Sequence, residues 1–292
     1  MISSIIETNE ELTKHVIMSF NANEMPITEL VLQKVIFQIK MDLGKGHPLY
    51  ENLPYYWYYY GPFSETLRNS FNASKRFLKP SGEGFMIKDN HANEFKTNIS
   101  NDYVEIEDTI SNLISKGDYV YYSLTEDIYK NFAPFDMIYN FKYGIFNPTE
   151  KAIFKGNATD YIDLFQLCIF DLSKFTYFND FTRIFSKFSF QFLLLNEDDF
   201  ICENWDGLRK PIRKLWFAFA NGLRCQAHDS YYDGKFKQWD GIFQKNLVSL
   251  NNEIDNFIRQ TDSLIKYSDC EELDDDAKNF LNSIGNAYWG YD

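Results

Sequence analysis

The chain has 292 residues, of which 45% are hydrophobic and 18% aromatic, and this composition is enough for one large domain or two ordinary ones. Its formal net charge of −13 argues against a broad nucleic-acid-binding surface, because non-specific affinity for phosphates comes from Lys and Arg. A local basic patch remains compatible with that charge. The four cysteines form no Cys-x-x-Cys pair, so neither a zinc ribbon nor a disulfide framework is predicted. Without a signal-peptide pattern or a run of about 20 apolar residues, we expect a cytoplasmic protein that does not enter the membrane.

Two predicted helices open the chain. Apolar residues at helical spacing predict one helix over 4–20 and a second over 27–43. Pro26 and Thr28 stand where the start of a helix favours them. The apolar set of the second helix is broad, which indicates burial on most of its sides.

Residues 50–67 (YENLPYYWYYYGPFSETL) are the most distinctive stretch of the chain. Its six consecutive aromatic residues indicate an extended segment that is buried on at least one face. A core role is favoured over a platform on which nucleobases stack. Pro62 fits the first turn of a helix, so a third helix is predicted over 64–73, with Ser64 or Gly61 as its cap.

A β-hairpin is predicted after the third helix. Turn-forming residues at 80–84 separate the short runs 77–78 and 85–87, which we expect to pair. Two helices, a further helix and a hairpin follow one another in the order of a winged-helix unit. The positive side chains beside the hairpin are the residues predicted to bind a partner: Lys75, Arg76 and Lys79.

The second half of the chain predicts a helical bundle. A turn-rich segment near 150–158 marks the expected boundary, so the predicted domains are 1–150 and 151–292. The expected fold class is mainly α with a small β-hairpin, in which a winged-helix-like N-terminal unit precedes the bundle. Stripes of Phe and Leu predict four bundle helices, over 159–175, 180–195, 208–227 and 239–267.

A basic run lies on the third of these bundle helices and supplies further predicted partner contacts: Arg209, Lys210 and Arg213. At such spacing the side chains form one solvated face of a helix. Contact with a phosphate group or with an acidic partner is the alternative. Near the end of the chain, the acidic run 271–276 precedes a last short helix and is the corresponding candidate for contact with a basic partner.

The candidate catalytic pair is Arg224 and His228, which share one helix face if the helix continues through both. The pair resembles the Arg-and-His motif of HEPN ribonucleases, which are helical bundles that act on RNA. Three residues separate the two side chains here, against four to six in that motif. The alternative is an ordinary helix-end pair, because the helix dipole favours a histidine near the C-terminus. Neither a metal-ligand spacing nor a phosphate or dinucleotide motif occurs, so no metal and no cofactor is predicted.

Residues 28–72 resemble phage-associated proteins that carry the Panacea antitoxin domain. The resemblance rests on the sequence LQKVIF at 32–37 and on YGPFS at 60–64, which joins an aromatic segment to a helix. It implies a protein that acts as an antitoxin or adaptor through protein contact and has no catalytic residues.

Two classes of function follow from these patterns. The first is a non-enzymatic interaction or regulatory protein of a phage, antiviral defence or toxin–antitoxin locus, which contacts a partner protein and, in one version, DNA. The alternative is a HEPN-like ribonuclease or toxin that uses Arg224 and His228. We favour the first class, because the more extended resemblance is to a family that acts through contacts.

Overall fold

The structure is a computed structural model that describes residues 2–99, 103–151, 158–195 and 205–262. The described chain is mainly helical and contains two small antiparallel sheets of two strands each. The expected fold class, mainly α with a small β-hairpin, is therefore confirmed. Among the helices in these ranges, none is both long and apolar enough to cross a membrane.

Two compact units account for these residues. Met1–Ala133 and Leu223–Gln238 make up the first unit, and Pro134–Gly222 and Trp239–Asp292 make up the second. This division differs from the single boundary expected near residue 150. The difference arises because a segment from late in the chain returns to the N-terminal unit, a long-range pairing that local composition does not reveal.

Side-chain caps begin two of the helices in the first unit. The Thr28 hydroxyl accepts a hydrogen bond from the N–H of Val31 (3.1 Å), and the Ser64 hydroxyl accepts one from Leu67 (3.5 Å). Ser64, rather than Gly61, is thus the cap of the third helix. The helices of this unit are α1 (Ile2–Ala22), α2 (Glu29–Leu43), α3 (Glu65–Ser74), α4 (Val104–Ser115), α5 (Tyr119–Tyr122) and α6 (Leu124–Phe132).

The strands are β1 (Tyr56–Tyr58), β2 (Gly61–Phe63), β3 (Leu78–Ser81) and β4 (Gly84–Ile87). β3 and β4 pair with Leu78 opposite Ile87, which confirms the predicted hairpin. β1 and β2 form a second hairpin, with Trp57 opposite Pro62. The expectation that Pro62 belongs to the first turn of a helix is wrong, because the proline lies in β2 and the next helix starts only after Ser64.

Each hairpin has a further backbone partner. Ile27, just before α2, exchanges two hydrogen bonds with Phe85 of β4, at 2.9 and 3.0 Å. Residues 227–229 pair with β1, where the N–H of Trp57 donates to the carbonyl of Ala227 at 2.8 Å. The aromatic stretch is thus joined to a segment from far along the chain.

From residue 134 onward the elements are α7 (Asp136–Tyr139), a π-helix (Asn140–Phe146), α8 (Asn147–Lys151), α9 (Ala158–Leu172), α10 (Asn179–Leu194), α11 (Trp205–Gln226) and α12 (Phe236–Thr261). The predicted Phe stripes form core: Phe165, Phe185 and Phe188 are fully buried. Trp216 stacks on the Phe141 ring, with centroids 5.7 Å apart. The acidic run and the last predicted helix lie outside the described residues.

Candidate partner-binding site

The aromatic stretch passes from core to surface within a few residues. Tyr55, Tyr56 and Trp57 are buried, with 8% exposure or less, whereas Tyr60 is 62% exposed. Burial raises the pKa of Tyr55 and of Tyr56 well above that of an exposed tyrosine, so both hydroxyls stay protonated. The predicted core role is therefore confirmed for the first three aromatic residues, and Tyr60 belongs to the surface.

Two polar side chains of α2 hold this stretch in place. The Gln33 amide donates to the carbonyl of Ser64 (2.8 Å) and accepts from the N–H of the same residue (2.9 Å). The ammonium group of Lys34 donates to the carbonyl of Pro62 (2.9 Å). Both side chains are buried, and a buried polar group is tolerated only when it is hydrogen-bonded. Gln33 and Lys34 belong to the sequence LQKVIF, and Pro62 and Ser64 belong to YGPFS, so these hydrogen bonds join the two motifs directly.

Gly61 allows the lysine to approach the backbone so closely. Its φ of +87° is rarely adopted by other residues. A Cβ atom at this position would lie 2.8 Å from the ring of Tyr129 and 3.1 Å from the Nζ of Lys34. The position therefore requires glycine for both its conformation and its space.

An open pocket of about 340 Å³ lies between α2, the β1–β2 hairpin and α3. Four aromatic side chains line it: Tyr56, Tyr58, Tyr60 and Phe63. Leu30 of α2 also lines the pocket and is 45% exposed. Exposed apolar side chains beside a concave aromatic surface are typical of sites that bind other molecules.

A charged pair stands at the same pocket. The Nε of Arg68 lies 2.7 Å from a carboxylate oxygen of Glu29, and its guanidinium lies 4.3 Å from the centroid of the Phe63 ring. The Arg68 side chain is 52% exposed, whereas that of Glu29 is 27% exposed. Since a guanidinium has five N–H donors, the arginine presents further donors to the solvent at the pocket.

The segment 227–235 holds the other side of the aromatic stretch. The carboxylate of Asp229 accepts hydrogen bonds from the buried ammonium of Lys40 (2.5 Å) and from the N–H of Tyr55 (2.7 Å). Lys235 forms an ion pair with Glu65 at the start of α3. The sequence did not predict the roles of Asp229 and Lys235, because no local pattern indicates which distant residue pairs with a buried lysine.

Arg224 and His228 lie in this segment or next to it, within the first unit. The guanidinium of Arg224 lies 5.0 Å from the centroid of the Tyr58 ring. The His228 ring contacts the carbonyl of Arg224 (2.9 Å) and the carboxylate of Asp233 (3.2 Å). α11 ends at Gln226, so the helix that would place both side chains on one face does not continue through His228.

Lys75, Arg76 and Lys79 lie on the surface, at the end of α3 and on β3. Lys75 lies 5.3 Å from the centroid of the Phe71 ring, and Arg76 lies 4.5 Å from that of Phe77. Within the described ranges neither of the two pairs with a carboxylate. Lys79 differs, because its ammonium lies 2.8 Å from the carboxylate of Asp89, and both of those side chains are exposed.

The basic run on α11 is occupied by carboxylates of its own unit. Arg213 pairs with Glu150 at 2.5 Å, and Arg209 reaches the same carboxylate at 3.4 Å. Lys210 lies 2.6 Å from Glu253. Hydrogen bonds from the two arginines hold the pKa of Glu150 below its usual value. The structure thus places the three predicted contact residues in ion pairs.

A buried lysine that sequence reasoning missed lies in the second unit. Lys142, on the π-helix, has its ammonium 4.0 Å from the centroid of the Phe146 ring and 4.8 Å from that of Trp216. Burial lowers the pKa of Lys142 to about 7, although the Glu150 carboxylate opposes that shift. The signal available in the sequence was a lysine flanked directly by two aromatic residues, Phe141 and Tyr143.

Comparison of the chain with protein-family models, with curated proteins and with solved structures finds no match. Among the described residues, no group of three or more His, Cys, Asp or Glu side chains is arranged to hold a metal ion. The candidate site therefore stands on its geometry, which is an aromatic pocket held by buried polar contacts and open to the surface at Leu30 and Tyr60.

Proposed function

We propose that this chain is a non-enzymatic interaction protein that binds a partner protein at the pocket between α2 and the β1–β2 hairpin. The observation that carries the proposal is the exposure of Leu30 and Tyr60 beside an aromatic cavity of about 340 Å³. Exposed apolar surface of this kind costs solubility unless it serves binding. Buried contacts of Gln33 and Lys34 keep the cavity preformed, which reduces the entropy lost on binding.

The chemistry of the pocket favours a polypeptide that offers one large apolar side chain next to an acidic residue. The aromatic walls suit an apolar anchor of this kind. The more exposed member of the charged pair at the pocket is Arg68, whose free donors match a carboxylate of the partner.

The expected setting, a phage, defence or toxin–antitoxin locus, is supported by the resemblance of residues 28–72. The order of elements supports a winged-helix-like unit: α1, Ile27, α2, α3 and the β3–β4 hairpin occur in this order, with the β1–β2 hairpin inserted between α2 and α3, and Ile27 pairs with β4. Cytoplasmic location belongs to the same proposal.

A displayed library of random peptides tests the proposal directly. Selection against the full chain should enrich peptides with an aromatic or aliphatic anchor beside Asp or Glu. Leu30→Asp and Tyr60→Ala should each weaken the selected peptides by about tenfold or more, since burial of one such side chain contributes ~1.5–3 kcal/mol.

The matched controls are Val104→Asp and Tyr122→Ala. Like Leu30, Val104 lies in the first turn of a helix, and Val104 and Tyr122 are 64% and 80% exposed. Both variants should bind the peptides as the unsubstituted chain does. The proposed site would be refuted if the selected peptides bound Leu30→Asp and Tyr60→Ala as tightly as the unsubstituted chain. It would also be refuted if the selection enriched no peptides with an apolar anchor.

The ribonuclease alternative has its own test. If Arg224 and His228 act only as structural contacts, the purified chain cleaves no RNA, and Arg224→Ala changes nothing in that assay. Cleavage that disappears in both Arg224→Ala and His228→Ala would replace the interaction proposal by the enzymatic one.

A further inference from the structure

The exposed side of α3 carries side chains suited to reading DNA bases. Asn69, Asn72 and Ala73 are exposed and stand at spacings of three and four, which places them on one side of the helix. Arg76 continues this side in the single 3-10 turn that follows. Within the part of the chain that the structure describes, neither asparagine side chain has a hydrogen-bond partner. Their donors and acceptors are thus available to a ligand.

The segment that carries this side is locally positive in a chain that is acidic as a whole. Residues 65–89 contain five basic and three acidic residues, a net charge of +2, whereas the whole chain carries −13. Two of the five basic side chains lie in ion pairs, Arg68 with Glu29 and Lys79 with Asp89. Such a concentration of charge steers polyanions to one face and away from the rest of the molecule. Lys75 and Arg76 pair with no carboxylate among the described residues, so they are the positive groups that this face offers to a nucleic acid.

The β3–β4 hairpin extends this face beyond the end of α3. Lys79 and Pro80 lie exposed on β3, and Gly82, with a φ of +55°, forms the turn. Lys88, just after β4, donates from its ammonium to the carbonyl of Arg76 at 2.6 Å. This bond, with the one from the N–H of Lys88 to the carbonyl of Phe77 at 2.9 Å, ties the hairpin to the turn that follows the helix.

We propose that α3 and the β3–β4 hairpin form a binding surface for double-stranded DNA. The major groove of B-DNA, about 12 Å wide, admits an α-helix, and there Asn pairs with adenine and Arg with guanine through two hydrogen bonds each. Asn69, Asn72 and Arg76 contact base edges, while Lys75 and Lys79 contact phosphates. Ala73 leaves room for the close approach. The major groove of an RNA duplex is too narrow for a helix, which singles out DNA.

The inference is independent of the peptide pocket. It concerns the exposed side of α3 and the hairpin, and Leu30 and Tyr60 play no part in it. Peptide binding and DNA binding can therefore succeed or fail separately. A chain that does both would connect a partner protein to a DNA site.

The experiment begins with selection of random-sequence duplexes by the full chain, followed by fluorescence anisotropy with the enriched duplex. The double variant Lys75→Ala with Lys79→Ala should weaken binding to every duplex. It should also make the slope of log affinity against log salt less negative by about two, since each phosphate contact contributes about −0.9 to that slope. Asn69→Ala with Asn72→Ala should instead abolish the base preference, with about a tenfold loss or more on the enriched duplex alone.

The control is Lys45→Ala with Lys96→Ala, which removes the same charge from exposed positions outside this face. It should bind DNA as the unsubstituted chain does, and urea unfolding should not differ among the variants, since every substituted side chain is exposed. Equal losses in both lysine double variants overturn the proposal, because net charge would then explain binding. It is also overturned if no duplex sequence is enriched, or if single strands, duplex RNA or an acidic polypeptide bind more tightly than duplex DNA.

Discussion

Gln33→Ala tests whether the α2 contacts hold the pocket in shape. The Gln33 side chain is 1% exposed, and its amide both donates to and accepts from the backbone of Ser64, at 2.8 and 2.9 Å. Alanine keeps the helix but removes both hydrogen bonds at once. The Ser64 N–H then loses its partner in a site that excludes water, whereas the Ser64 carbonyl keeps the hydrogen bond that it accepts from the N–H of Arg68 at 3.1 Å.

The expected cost follows from these two groups. A buried donor that loses its partner costs about 1–3 kcal/mol, and this applies to the Ser64 N–H. The Ser64 carbonyl loses one of its two hydrogen bonds, which adds about 0.5–1.5 kcal/mol. Loss of the packed methylene groups of the Gln33 side chain increases this cost further. Because Ser64 caps α3 and follows β2, the same change should loosen the wall of the pocket and weaken peptide binding.

Gln38→Ala is the matched control on the same helix. Its amide donates to the carboxylate of Asp42 at 2.8 Å at the surface, so its removal should change the free energy of unfolding by no more than about 0.5 kcal/mol. Hydrogen exchange of a peptide covering residues 60–67, measured together with urea unfolding, reports both the local and the global effect.

The contrast between the two glutamines decides the outcome. Exchange in 60–67 should become much faster in Gln33→Ala and stay unchanged in Gln38→Ala. If both variants unfold at the same urea concentration and exchange alike, the hydrogen bonds to Ser64 do not hold the pocket, and the reasoning is refuted.

Two further predictions concern Gly61 and Lys142. Gly61→Ala should lose distinctly more stability in urea than Gly82→Ala: both have positive φ, for which a Cβ costs about 1–2 kcal/mol, but only Gly61 has side chains within 4 Å of the added atom. Equal losses would contradict the clash. Between about pH 7 and 9 the folded state has lost the Lys142 proton and the unfolded state keeps it, so the free energy of unfolding should rise by about 1.4 kcal/mol per pH unit. Lys142→Met should lack that rise, and identical pH dependence in both proteins would refute the buried-amine interpretation.

Part of the candidate site was predictable because its signals are local. A run of aromatic residues predicts an extended buried segment, and Tyr55 through Trp57 follow that prediction. The positions of Lys75, Arg76 and Lys79 beside a hairpin were predictable from turn chemistry alone. The sequence did not predict whether a positive side chain stays available to a partner, since Arg213 and Lys210 lie in ion pairs with residues far from them in sequence.

The pocket itself was not predictable from the sequence. Gln33 and Lys34 stand within an apolar helix, and nothing nearby in sequence indicates that backbone groups of Ser64 and Pro62 satisfy them. A buried polar side chain needs a partner, so its presence is a signal that a partner exists. The identity of that partner depends on which segment packs against the helix.

By itself, the sequence determined the long helices and the β3–β4 hairpin, because helical periodicity and turn chemistry act over a few residues. It left Ser64 and Gly61 open as the cap of α3, and the structure decided for Ser64. Only the tertiary structure decided that Pro62 lies in a strand and that residues 227–229 pair with β1. It also decided that Tyr60 faces outward while Trp57 is buried. These features depend on contacts between distant segments, and the free energy of such contacts outweighs local preference.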